Sequence, residues 1–271
     1  MDITYNKEHL RLWKTYELTI PYAGFAKLGP EWHAPQTCSP FSRLYYIQKG
    51  AGTVLIDDRT LPLQEGKVYL LPAGLSYGYL CEEYMEQLFF HVNFTHFNGI
   101  DLFRGCDRIY SRDMTTRDIA SVKQLYLSDQ INDSFYLKSI LLKELSGFLN
   151  MAGIGESYIR QYSALTEQIF RLAQSPVNAG LHVSDLAKAL HVSSSTLTKR
   201  FRQETGMPPG EYLTQLVLSK SCNLLLSEDC SIAEIAKELG FTDQFYFAKY
   251  FKKQMHVTPS EYRRQMKGSQ K

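Results

Sequence analysis

Residues 183–212, VSDLAKALHVSSSTLTKRFRQETGMPPGEY, are followed at 232–262 by a near-copy, IAEIAKELGFTDQFYFAKYFKKQMHVTPSEY. Leu186, Ala187, Lys188 and Leu190 fall on Ile235, Ala236, Lys237 and Leu239 at an offset of 49, and Leu197, Phe201, Pro209, Glu211 and Tyr212 fall on Phe247, Phe251, Pro259, Glu261 and Tyr262 at 50. The second copy therefore carries one extra residue in its turn. Self-similarity at a fixed period dictates that the carboxyl-terminal part is built twice from one supersecondary unit.

Each unit reads as a short helix with a small Ala for close packing, a tight turn, and a second helix opened by a capping residue. The cap is Ser193 or Ser194 in the first copy and Thr242 or Asp243 in the second. Leu197 and Phe201 are one helical turn apart and face the packing partner, so Ser195, Thr198, Lys199 and Arg202 share the wet face. In the second copy Phe247 and Phe251 point inward, leaving Gln244, Phe245, Ala248, Lys249 and Lys252 outward. A polar, basic face with small residues suits a DNA major groove, and an outward Phe245 suits a thymine methyl. Phe241, Phe247 and Phe251 read as core. Between the units, 209–227 carries apolar Leu213, Leu216, Val217 and Leu224, an amphipathic helix. About 18 residues at 1.5 Å each span roughly 27 Å, close to the 34 Å helical turn of B-DNA. One chain is thus expected to enter two successive major grooves, bending the duplex if the joining helix is stiff.

Charge runs the same way. Residues 1–160 hold 16 Lys and Arg against 18 Asp and Glu, and 161–271 hold 14 against 10, giving −2 and +4. The basic end suits a polyanion. The first 20 residues show no secretory pattern and no stretch is apolar enough to span a bilayer, so the cytoplasm is expected. Five cysteines (Cys38, Cys81, Cys106, Cys222, Cys230) without a C-x-x-C pair read as reduced thiols rather than a disulfide framework or structural zinc site.

From Glu17 to Phe97 the sequence is aromatic and β-branched, with turn signals KGAG, IDDRT, QEGK and LPAG at short intervals, which predicts short antiparallel strands in a barrel or sandwich. From Thr116 to Asn150 the period changes to three and four, with Leu137, Ile140, Leu141, Leu145 and Phe148 on one stripe. AQSPVNAG, 173–180, reads as a linker tail.

The motifs LAKALHVSSSTLTKRFRQETGMPPGEYL and SIAEIAKELGFTDQFYFAKYFKKQMHVTPSEYRR resemble the AraC/XylS family of bacterial transcription regulators across roughly residues 165–266. The resemblance implies a non-enzymatic α+β protein: a cupin-like β-barrel (jelly roll) that binds an effector at 1–112, a helical linker and dimerisation region at 113–160, and at 161–271 a DNA-binding domain with two helix-turn-helix motifs. The family's base-reading positions land on Ser195, Thr196, Thr198, Lys199 and Arg202 and on Gln244, Phe245, Ala248 and Lys249. Val217 and Ser221 depart from it, where Arg and Ala are usual. The front half resembles cupin sensor domains through YYIQKGAGTVLIDDRTLPLQEGKVYLLPAGLSYGY. Enzymic cupins hold a metal with histidines and a carboxylate. Tyr77 stands where such a His often stands, and His33, His91 and His96 lack metal-ligand spacing, so no metal or other cofactor is expected.

An aromatic-lined barrel suits a sugar or flat organic effector. Arg43, Tyr45, Tyr77, Tyr79, Phe89 and His91 are the expected ligand contacts, and Trp13, Tyr16, Tyr22 and Trp32 favour a carbohydrate. Arg43 within a strand demands an anion, a ligand hydroxyl or a salt-bridge partner. The resemblance further implies a homodimer through the 113–155 helices, whose stripe alternatively packs on its own barrel, an operator with repeated half-sites, and effector-controlled recruitment of RNA polymerase. Two rivals are a metal-dependent cupin enzyme with a DNA-binding tail and an effector-free architectural DNA binder with a filled barrel.

Overall fold

The computed structural model describes residues 14–155, 162–226 and 230–268. Among the described residues eight strands precede the longer helices: β1 (Tyr16–Leu28), β2 (His33–Thr37), β3 (Ser42–Ile56), β4 (Arg59–Gln64), β5 (Lys67–Leu71), β6 (Tyr77–Leu80), β7 (Met85–His96) and β8 (Tyr110–Asp113). They form antiparallel ladders in the order β1-β7-β3-β5-β8, with β4 and β6 on the far half of β3 and β2 on β6. The long β3 therefore belongs to both walls of the barrel: residues 42–50 pair with β5 and β7, and residues 51–56 with β4 and β6. On β1 the ladder to β7 slips between Thr19 and Tyr22, around Pro21, which has no N–H to give it.

Alternation along the strands sorts side chains between two cores. Leu44 and Tyr46 on β3, Val68 and Leu70 on β5, and Leu88, Phe90 and Val92 on β7 point out of the barrel into one cluster. Tyr45 and Ile47, Tyr69 and Leu71, and Phe89 point inward into another. Both faces of this sheet are thus buried, because helices α1 (Thr116–Tyr126) and α2 (Ile131–Met151) cover the outer one. Leu137, Leu141, Leu145 and Phe148 lie in the shared core with Ile140 packed against it, so this stripe serves the chain's own barrel rather than a second subunit. The sheet leaves a row of large apolar side chains outward, and the helix stripe is their nearest cover.

Among the described residues seven further helices follow: α3 (Ala164–Gln174), α4 (Val183–Ala189), α5 (Ser194–Thr205), α6 (Pro209–Leu226), α7 (Ile232–Glu238), α8 (Gln244–Met255) and α9 (Pro259–Gly268). One core gathers Ile169, Phe170, Leu186, Ala187, Leu197, Phe201 and Tyr212. The second gathers Val217, Cys222, Ile235, Ala236, Phe241, Phe247, Phe251 and Tyr262. The joining helix α6 supplies Leu213 and Leu216 to the former and Val217, Leu218, Cys222 and Leu225 to the latter. It is buried on nearly every side rather than amphipathic, because the barrel covers the side left open by the two units. Phe41 of the barrel sits in the second unit's core, and Ile100 packs on the first's.

The expected linker at 173–180 is also built into this assembly. Ala173 closes α3 in a core, Val177 packs on both clusters, and Ala179 N donates to Leu239 O at 2.8 Å. Its Pro, Gly and Asn give it a linker's composition, but its two small apolar side chains find places between the units.

Candidate functional site: two helix faces and a polar cluster in the barrel

The two copies solve their turns with the same backbone. After α4 the chain reverses through His191 at φ +54°, and after α7 through Gly240 at φ +77°. The bonds Val192 N to Ala187 O and Phe241 N to Ala236 O match at 3.0 and 2.9 Å, the signature of a left-handed helix cap. The recognition helices end alike, α5 on Gly206 (φ +81°) and α8 on His256 (φ +62°). Each unit thus puts a glycine at one left-handed position and a histidine at the other. The caps are Ser193, whose Oγ accepts from Thr196 N at 3.1 Å, and Asp243, whose Oδ1 accepts from Phe245 N and Tyr246 N at 2.8 Å.

All nine expected base-reading residues lie on α5 and α8, and none is buried: Thr198 and Ala248 are half-buried and the other seven exposed. Ser194, Ser195, Thr198, Lys199, Arg202 and Gln203 line one open groove on the face of α5. Ser195 and Thr196 hydroxyls lie 2.9 and 2.8 Å from Ser193 Oγ at the cap. Phe245 is 76% exposed and the neighbouring Tyr246 56%, an apolar surface at the entry of α8 that none of the described residues covers. Ser194, Gln203 and Tyr246 were absent from the expected set. Gln203 follows Lys199 by one turn, and that phase was the available signal.

The barrel brings all six expected ligand contacts together. Arg43 pairs across the sheet with His91, and Tyr45 with Phe89. Arg43 Nη1 donates to Tyr77 Oη at 2.6 Å and to Tyr45 Oη at 3.3 Å, and Nη2 donates to Ser39 Oγ at 2.6 Å. Its guanidinium lies over the rings of Phe41 and Tyr77. Burial works against its charge, and Tyr45, Tyr77, Tyr79 and Tyr262 favour it. Burial pushes the Tyr77 hydroxyl well above the usual range with Arg43 opposing, while burial and the Arg43 charge drive the His91 imidazole far below its usual value and keep it neutral. Tyr79 stacks near Trp32 at 4.4 Å between centroids, and Tyr22 lies 5.5 Å from both Phe89 and His91. Trp13 lies outside the described residues. Ser39, Phe41 and Tyr22 complete the cluster and were not among the expected contacts. Among the described residues no group of three His, Cys, Asp or Glu could hold a metal ion, and no helix is long and apolar enough to cross a membrane.

The connection between β7 and β8 ties this barrel to the helices. Arg104 meets Glu211 of α6 at 2.7 Å, Tyr212 Oη donates to Asn98 O at 2.6 Å, and Gln174 Nε2 donates to Phe97 O at 3.2 Å.

Family comparison agrees with this division. The AraC-like ligand binding domain matches residues 22–125, and a helix-turn-helix domain matches 186–265. This chain belongs to the AraC/XylS family. It is a transcription regulator with a ligand-binding and a DNA-binding domain, not an enzyme. Among its relatives are the Msm operon regulatory protein of Streptococcus mutans, 24% identical over 94% of this chain and 95% of that one, and the lactose operon transcription activator of Staphylococcus xylosus, 23% identical over 93% and 96%. The raffinose operon regulatory protein RafR of Pediococcus pentosaceus is 26% identical over 82% and 84%. In fold the chain is similar to ToxT of Vibrio cholerae O395, with a TM-score of 0.59, 18% identity, and coverage of 94% and 99%.

For an AraC-family chain the joining helix departs at two positions, and both are explained by burial. Val217 is 3% exposed and its apolar side chain packs within the second core. Ser221 is fully buried, its hydroxyl donating to Val217 O at 2.6 Å inside the helix.

Proposed function

We propose that this chain is a sugar-responsive operon regulator that grips promoter DNA in two adjacent major grooves. The observation that carries it is the conjunction, in one chain, of two capped recognition helices with exposed polar faces and a barrel whose buried Arg43, tyrosines and His91 converge. The sugar assignment draws on relatives named for lactose and raffinose operons. Aromatic faces stack on sugar rings while Arg43 and the hydroxyls take their oxygens. Ser195, Thr196, Thr198, Lys199 and Arg202 read one half-site, and Gln244, Phe245, Ala248 and Lys249 the next, in the cytoplasm, and bound effector changes RNA polymerase recruitment.

We assign dimerisation to the outer face of the helical region. Leu127, Ile131, Phe135 and Tyr136 are 60–71% exposed and Leu142 39%. Ile131, Phe135 and Leu142 follow one side of α2, along the flank of the stripe that packs on the barrel. An isologous contact there would give four reading helices and an operator of repeated half-sites.

A second reading concerns charge. Among the described residues Arg43 has no carboxylate partner, a costly state for a buried cation, so an acidic sugar would fit as well as a neutral one. The test is selection of bound duplexes from a random pool with the full chain, followed by titration of lactose, raffinose, galactose and galacturonate while operator affinity and melting temperature are followed. A shift with a sugar supports the reading; no shift with any of them removes the sugar assignment.

A further inference from the structure

The repeat makes Tyr212 and Tyr262 equivalent, and both approach the barrel. Tyr212 Oη donates to Asn98 O at 2.6 Å and accepts from Gln174 Nε2 at 3.2 Å, so the first unit's tyrosine is fully bonded. Tyr262, 1% exposed, has a hydroxyl that among the described residues meets no oxygen or nitrogen partner. The Cys222 thiol lies alongside it, a weak partner that leaves the stronger bond unmade. Tyr262 is also within electrostatic reach of Arg43 and Tyr22.

Three more buried polar atoms in this neighbourhood lack partners among the described residues: Arg43 Nε, His91 Nδ1 and Tyr22 Oη. Arg43 and His91 are 5% and 3% exposed and pair across the β3–β7 ladder, and Tyr22 packs against His91. Phe41 stacks on His91 at 4.7 Å and lies in the core that holds Tyr262. Four orphaned groups from β1, β3, β7 and α9 therefore border one seam between the barrel and the second helix-turn-helix unit. Buried polar groups are almost always bonded, and a cluster of exceptions marks a place where a polar molecule belongs.

Resting on the sugar-responsive reading above, we infer that the effector occupies this seam and that Tyr262 of the DNA-binding domain bonds it directly. Sugar hydroxyls both donate and accept, and so meet Arg43 Nε, the neutral His91 and the two tyrosines together. Tyr262 is then a specificity-determining residue and the mechanical link: α9 packs on the core of the second unit, so occupancy of the seam ties the pose of α8 to the barrel.

The test compares Tyr262→Phe with Tyr212→Phe in the full chain. Without ligand, Tyr262→Phe removes a hydroxyl whose partner is only the weak Cys222 thiol and should leave the melting temperature nearly unchanged, whereas Tyr212→Phe breaks two bonds and should lower it. Isothermal titration with lactose, raffinose and galactose should then show affinity for the bound sugar falling about tenfold in Tyr262→Phe, with the operator response lost, and unchanged in Tyr212→Phe. Equal sugar affinity in wild type and Tyr262→Phe overturns this inference alone. Destabilisation of ligand-free Tyr262→Phe as large as that of Tyr212→Phe also overturns it, because the hydroxyl would already be strongly bonded. Failure of wild type to bind any sugar overturns the sugar reading and this inference with it.

Discussion

Gly240 carries the turn that sets the recognition helix α8, and replacing it by Ala separates two effects. Its φ is +77°, where a Cβ costs about 1 kcal/mol. That Cβ would also stand 2.3 Å from Asn178 Oδ1. The same oxygen accepts from Gly180 N at 2.7 Å, so Asn178 cannot yield without breaking a bond worth about 1 kcal/mol. The expected loss is about 2 kcal/mol, against about 1 kcal/mol for Gly206→Ala, where φ is +81° and a Cβ meets nothing within 4 Å. Urea unfolding followed by far-ultraviolet circular dichroism reads the helices. Putting Gly240→Ala into an Asn178→Ala background should halve its cost. An equal cost in both backgrounds, or equal losses for Gly240→Ala and Gly206→Ala, would refute the reasoning.

Other outcomes follow from the same structure. His256→Gly relieves a left-handed non-glycine residue at the end of α8 and should stabilise by up to about 1 kcal/mol in the same denaturation assay. Lys199→Ala and Lys249→Ala should each weaken operator binding and lower the slope of log affinity against log salt by about 1, measured by fluorescence anisotropy across a salt series. Asp101 is buried and accepts from Ser42 Oγ, Phe94 N and Phe103 N, yet burial raises its pKa to about 6. The folded value exceeds the unfolded one, so its contribution is fully present below the unfolded pKa and lost as pH rises through about 6. Stability measured relative to Asp101→Asn should therefore fall by on the order of 3 kcal/mol between acid and neutral pH. Phe135→Asp should convert a dimer to monomer in sedimentation velocity without loss of helix content, since that side chain is 68% exposed.

The helical half was legible because its signals are local. Ser193 and Asp243 are capping residues at the right phase, and the inward pairs Leu197 with Phe201 and Phe247 with Phe251 repeat at one spacing. Phe245 alone among these aromatics was assigned outward, and it is exposed. What depends on long-range contact was not legible. The stripe on α2 looks the same whether it meets a barrel or a second copy, and only the outward-facing Leu44, Tyr46, Val68 and Phe90 decide between them. Likewise α6 has an amphipathic pattern in isolation, and its third side is buried only because Phe41 and the loop carrying Asn98 arrive from the barrel. In the barrel, strand alternation placed Arg43, Tyr45, Phe89 and His91 on one face. Ser39 and Phe41 lie outside the alternating run, and Tyr262 lies more than 200 residues away, so no local pattern joined them.

The central claim, that one chain reads DNA with both α5 and α8, is tested most directly by base-resolution footprinting of the selected operator with wild type, Lys199→Ala and Lys249→Ala. Two protected major-groove segments about one helical turn apart, each weakened by only one of the substitutions, are the predicted result. A single protected segment, or both substitutions weakening the same bases, would contradict it.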